Sequence, residues 1–167
     1  MKEFRDKVAV VTGAASGLGK AMALDFARRG MKLALADIEP EPLAAAGAEI
    51  AALGGECLTH QTDVSQASSV HGLAEAVFQR FGKVHVLCNN AGVTAGGVTM
   101  EETRLQDWEW VLGVNLWGVI HGLDAFLARM IAQGQEAHIV NTASILGMVV
   151  TWPRTGAYVA SKFAVVG

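Results

Sequence analysis

The 167-residue chain is 51% hydrophobic and only 17% charged, with a formal net charge of −3. That length suits one domain with a sizeable core, and so few charges favour a sheet covered on both faces over a helical surface protein. With no basic run, nucleic acid and anionic membrane are poor candidate partners.

The first seven residues are charged and lead into an apolar run too short for a signal peptide. Residues 7–11, Lys-Val-Ala-Val-Val, read as a buried strand. The turn Thr12-Gly13-Ala14-Ala15-Ser16-Gly17-Leu18-Gly19 follows it and opens a helix with Leu18, Ala21, Met22 and Phe26 on one face. Gly30 ends that helix, with Arg28 and Arg29 in its last turn. Residues 32–37 form a second strand. Pro40 and Pro42 start a helix that continues through 43–53 and stops at Gly54-Gly55. Residues 56–61 form a third strand. Ser65 is the expected N-cap of a helix through Phe81, with Val70, Leu73, Ala74 and Val77 inward and Gly82 at its end. A fourth strand, 84–88, runs into Asn89-Asn90-Ala91-Gly92. After a loop to about Thr103, one long helix is expected over 105–132, then a fifth strand over 137–142 and a helix from about Ala157. No stretch is expected to be long and apolar enough to span a bilayer.

Strands alternating with helices imply βαβ units, a parallel sheet and right-handed crossovers. The expected fold is α/β, a doubly wound parallel sheet. Residues 1–167 read as a single domain that stops partway along a helix, with no later strand to pair with the last one. Strand five then lies at a sheet edge, where an apolar, regular strand invites pairing with another chain. Cys57 and Cys88 lie in apolar runs and read as reduced core residues of a cytoplasmic protein.

The glycines sit at a strand-to-helix turn, where backbone N–H groups and the positive helix end point to one place. That suits a phosphate, although a structural turn reads the same way. Asp37 closes the second strand, 18 residues past Gly19, where a carboxylate accepts hydrogen bonds from adenosine ribose hydroxyls and repels a 2′-phosphate. No cation stands at positions 14, 15 or 38, so NAD is expected over NADP. Asp63, beside Val64, is placed either to meet an adenine amino group or simply to begin the next helix. Asn90, Ala91 and Gly92 lie beyond the end of a strand, on the same side as the glycine loop. Asn115 interrupts an apolar helix face, so its amide is either a structural pin or part of a site. Tyr158 and Lys162, four apart, share a helix face. Lowering a phenol by roughly 3 pKa units takes about 4 kcal/mol. One positive charge at about 4 Å supplies that much at an effective dielectric of about 20. The five histidines show no ligand spacing, and no metal site is expected.

Taken together, in order and at these spacings, TGAASGLG, Asp37, Asp63-Val64, NNAG, VNLWG, IVNTAS and YVASK resemble the short-chain dehydrogenase/reductase family. The resemblance implies a Rossmann-type strand order 3-2-1-4-5 with the C-terminal strands absent, a single dinucleotide-binding catalytic domain over 1–167, and a reversible hydride transfer between NAD(H) and an alcohol or carbonyl. It implies that Gly13, Ser16, Gly17, Leu18 and Gly19 bind the cofactor, together with Asp37, Asp63, Val64, Asn90, Ala91 and Gly92. Tyr158 would be the acid–base, Ser144 would hold the substrate oxygen, Lys162 would bind the nicotinamide ribose, and Asn115 would hold a water in a proton relay. Family members continue well beyond residue 167 and form dimers or tetramers, so a homo-oligomer is expected. Met148, Val149, Val150 and Trp152 suit a hydrophobic substrate or packing against further chain. Two other readings stay open: a related epimerase or dehydratase, and a dinucleotide-binding scaffold without turnover.

Overall fold

The computed structural model describes residues 1–150 and 154–167, so Trp152 lies outside the described residues. Five strands form one parallel sheet in the order β3-β2-β1-β4-β5: β1 Val8–Thr12, β2 Lys32–Asp37, β3 Cys57–Gln61, β4 Val86–Asn89 and β5 His138–Asn141. Six helices connect or follow them: α1 Gly17–Arg28, α2 Pro40–Ala52, α3 Ala67–Phe81, α4 Leu105–Leu112, α5 Gly118–Ala132 and α6 Gly156–Val166.

The central strand shows why the sequence has few charges. All five residues of β1 are buried. Val8 and Val10 face one layer, packing with Val70, Leu73 and Val77 of α3 and Phe126 and Met130 of α5. Ala9 and Val11 face the opposite layer, with Ala23 and Ala27 of α1 and Leu43 and Ile50 of α2. The two-residue period of a strand distributes a continuous apolar run to both faces, as a doubly wound sheet requires. Because all strands are parallel, their carboxyl ends, from Thr12 and Asp37 to Asn89 and Asn141, open on one edge of the sheet. β5 is an edge strand, and Val140 is 45% exposed there.

Several local expectations are corrected. α1 buries Gly19, Ala23 and Ala27 against the sheet, whereas Leu18 and Ala21 of the expected face are exposed. Ser65 is not the N-cap of α3; Gln66 is, and the helix begins at Ala67. The Ser65 hydroxyl instead donates to Asp63 Oδ1 at 2.7 Å, alongside its own backbone N–H at 2.9 Å, so the nearer carboxylate takes the hydroxyl. The long helix over 105–132 is not regular. Gly113–Trp117 is a π turn between α4 and α5, with Asn115 at its middle. By length and composition the helical segment Leu105–Ala132 could also cross a membrane, contrary to the sequence expectation. Packing accounts for part of its apolar character: Val111, Val119, Ala125, Phe126 and Met130 are buried in the protein interior, while Leu105, Trp117 and Ile131 are exposed.

His85, which showed no ligand spacing, fastens the amino end of β4. Val8 N–H donates to its Nδ1 at 3.0 Å, so its Nε2 carries the proton and donates to Gln135 Oε1 at 3.0 Å. Only the neutral ring satisfies both partners. Burial holds its pKa below 6.5, aided by Lys7 and Lys83 and opposed by the bond to Gln135. The unfolded chain therefore binds more protons than the native one as pH falls below about 6.5, and stability is lost in that direction. Urea midpoints should fall between pH 7.5 and 5.5, and His85→Asn, whose amide oxygen can still accept from Val8, should flatten that slope. An unchanged slope in the variant would assign the pH dependence to other groups.

Candidate functional site

A cleft of about 850 Å³ runs across the carboxyl edge of the sheet. Gly13, Ser16, Gly17, Leu18 and Gly19 form one wall. The loop conformation explains its glycines. Gly17 has φ +53°, a left-handed conformation, and a Cβ there would meet only open space within 4 Å. Gly19 is different, because a Cβ would lie 2.0 Å from the Gly13 carbonyl oxygen and 2.6 Å from Asn90 Nδ2. The loop is thus pressed against the turn after β4 while its outer surface stays open. Ser16 caps α1 with extended backbone, and the first turn of α1 carries no acidic residue, so its positive end faces the cleft unopposed.

Asp37, Asp63 and Val64 line the cleft beside this loop. Asp37 Oδ2 accepts Ala15 N–H at 2.9 Å and Oδ1 accepts Glu39 N–H at 3.2 Å. A carboxylate has about four acceptor positions, so it retains capacity for hydroxyls. Asp63 spends Oδ1 on the turn into α3. Asn90, Ala91 and Gly92 form the floor. They are fixed by a residue that sequence reasoning missed: Thr12 Oγ1 accepts Asn90 N–H at 3.0 Å and Ala91 N–H at 3.1 Å. The amide of Asn90 returns a bond to the Thr12 carbonyl at 2.9 Å, and Thr142 Oγ1 donates to Asn90 Oδ1 at 3.2 Å. A threonine at a strand end reads as an ordinary β-former, and nothing local marks Thr12 or Thr142 as a clasp.

At the far end of the cleft are Tyr158 and Lys162 of α6. Lys162 is buried; its Nζ donates to the Thr142 carbonyl at 2.7 Å and lies 5.7 Å from the centre of the Tyr158 ring. Burial lowers its pKa below 10.5. Asn115 is fully buried. Its Oδ1 accepts Val93 N–H at 2.8 Å, and its Nδ2 donates to the Val93 carbonyl at 2.9 Å and to Ser161 Oγ at 3.0 Å. Both amide hydrogens are therefore engaged in holding the protein together. Gly92 lies between this amide and the lysine: a Cβ there would be 3.4 Å from Asn115 Oδ1 and 3.6 Å from Lys162 Nζ. Ser144 does not line the cleft, whereas its neighbours Ala143 and Leu146 do. Its Oγ accepts Leu146 N–H at 3.2 Å and caps the short turn Ile145–Gly147, leaving its proton to donate. Among the described residues, no group of His, Cys, Asp or Glu could hold a metal ion.

The open glycine loop, the unopposed helix end and the carboxylate beside them fit a dinucleotide. A sequence model described as short chain dehydrogenase matches residues 7–167. The chain is 50% identical to a short chain dehydrogenase/reductase from Burkholderia phymatum solved in complex with NAD. The TM-score is 0.96, over 99% of this chain and 58% of the other. An NAD⁺-bound xylitol dehydrogenase gives 36% identity and a TM-score of 0.94 over 99% of this chain and 63% of its own. The CLA biosynthesis dehydrogenase/reductase of Lactiplantibacillus plantarum is 40% identical over 100% of this chain and 58% of its own length. The chain thus spans about three fifths of the length of the relatives it matches.

The two glycines should behave differently when substituted. Gly17→Ala strains the backbone alone and should cost about 1 kcal/mol. Gly19→Ala forces a methyl into the Gly13 carbonyl and should cost about 2 kcal/mol or more. Urea denaturation of both variants checks the order, and equal losses would mean that the loop yields at Gly19.

Proposed function

The chain belongs to the short-chain dehydrogenase family, and from that premise we propose that the protein transfers a hydride reversibly between NAD(H) and an alcohol or carbonyl substrate. The observation that carries this reading is the buried Lys162 ammonium beside the Tyr158 ring, at the end of a cleft that begins at the glycine loop. When bound, the nicotinamide would accept or supply the hydride. The glycine loop and the amino end of α1 would hold the pyrophosphate. Asp37 would hold the adenosine ribose, and Asp63 and Val64 would border the base.

The protein's own work is to move a proton. In the oxidation direction Tyr158 Oη takes the proton of the substrate hydroxyl, and in reduction it returns one. The Lys162 ammonium stands beside that ring, 5.7 Å from its centre. The Thr142 carbonyl fixes where that charge stands. Ser144, with its proton free to donate, holds the substrate oxygen. Asn115 cannot donate to a relay water, since both amide hydrogens are engaged; such a water would sit on one of its carbonyl oxygens.

The substrate reading is an apolar alcohol or ketone. Ile145, Met148 and Val150 stand exposed next to the catalytic end, each at least 67% accessible. The protein is read as cytoplasmic, in keeping with two free thiols that burial pushes up to about 11. It is read as a homo-oligomer, with the exposed Trp117, Leu127 and Ile131 supporting association through the outer face of α5.

A substrate panel of secondary alcohols with NAD, followed by the absorbance of NADH, tests the reading. Tyr158→Phe should lower turnover at least about 100-fold and leave NAD binding within about twofold of the original. Substantial residual turnover would remove Tyr158 from the chemistry, and binding without turnover in the unmutated protein would favour a scaffold. Asp37 gives a second test: NAD should bind at least about tenfold more tightly than NADP, a difference of about 1.4 kcal/mol. Asp37→Ala should narrow the gap. Equal binding of both dinucleotides would contradict the role given to Asp37.

A further inference from the structure

Trp110 has no place in the chemistry above. It is a large aromatic residue of α4, 50% exposed, yet it lines the cleft. Helix geometry decides which end of the cleft it borders. Trp108, two residues earlier, points to the opposite side, where its Cζ2 lies 3.8 Å from the position a Cβ on Gly156 would take at the start of α6. Trp110 shares its face with Gly113 and Val114. A Cβ on Gly113 would stand 3.5 Å from Ser65 Cβ, in the turn that follows β3. Trp110 therefore borders the end of the cleft formed by Val64, Ser65 and Val114, away from Tyr158. Ile38, 55% exposed, also lines the cleft beside Asp37.

We propose that Trp110 is the outer aromatic wall of an adenine subsite, a base-binding residue separate from the carboxylates. The inference rests on the dinucleotide reading above. An indole offers a flat, polarisable face that suits a purine, and its exposure is explained if a planar ligand covers it. The acidic residues nearby select ribose hydroxyls and an amino group; the indole adds affinity for any base with a π-face. The side chain is one that helix packing alone does not require at a half-exposed position.

The experiment measures NAD and AMP binding by calorimetry and tryptophan fluorescence for the unmutated chain, Trp110→Ala and Trp110→Phe. AMP carries the base without the nicotinamide, so the measurement is independent of turnover. Trp110→Ala should bind both ligands about fivefold more weakly, the size of a lost aromatic stack. Trp110→Phe should return affinity to within twofold, because it keeps a π-face. The fluorescence quench on adding AMP should be lost in both variants, in which Trp108, Trp117 and Trp152 remain as the only indoles. Unchanged affinity in Trp110→Ala, or a Phe variant as weak as the Ala variant, would overturn the proposal while leaving the dinucleotide reading intact. If the unmutated chain binds neither NAD nor AMP, the dinucleotide reading itself fails and this inference with it.

Discussion

The site depends on one buried amide. Asn115 sits in a π turn, away from water, and its hydrogen bonds reach two distant parts of the chain: Val93 after β4 and Ser161 on α6. A buried amide left unpaired costs about 1–3 kcal/mol, so these contacts act as a constraint on what can pack there. The π turn admits an extra residue and turns Asn115 inward, where a regular helix would carry its face onward. Val93, Gly92 and the floor of the cleft are thereby set against the helix that holds Tyr158 and Lys162. Tyr158 and Lys162 are thus positioned from behind, by the buried contacts of Asn115 and Ser161.

A second clasp works at the ends of the strands. Thr12 holds the β4 turn, Asn90 answers to Thr12 and Thr142, and the Thr142 carbonyl receives the Lys162 ammonium. The chain of bonds runs from the end of β1, beside the glycine loop, to Lys162 across three parallel strands, through groups that are all buried or half-buried. The low charge content follows from the same sheet, because strands covered on both faces leave ionisable groups to the strand ends and the outer faces of the helices, where Lys20 pairs with Glu49 and Arg129 with Glu75.

Much of the fold was legible. The alternation of short apolar runs with helical periods located the five strands and implied a parallel sheet, while the observed strand order was legible only through the resemblance. Asn115 was legible as an anomaly, a poor helix former on an apolar face, but its partners were not. They lie 22 and 46 residues away, and no local pattern reports a contact of that separation. The π turn left no mark, since Gly-Val-Asn-Leu-Trp holds no helix breaker of the proline kind. Ser65 was misread because two groups compete for one hydroxyl, and Asp63 is nearer than the helix end. His85 was passed over because only metal spacing was sought, whereas its role is to pair a backbone donor with a glutamine. Ser144 was legible only through the resemblance, since its Oγ caps a short turn at the margin of the cleft and keeps its proton to donate.

The account's central claim is that a hydride passes directly between substrate carbon and the nicotinamide while Tyr158 handles only the proton. The most direct measurement follows an isotope. Cyclohexanol deuterated at the carbinol carbon, or the most active alcohol of the panel labelled likewise, is oxidised by the protein with NAD, and the reduced dinucleotide is weighed by mass spectrometry. The account predicts one deuterium in each NADH formed and none exchanged into water. NADH formed without deuterium, with the label found in solvent, would contradict it.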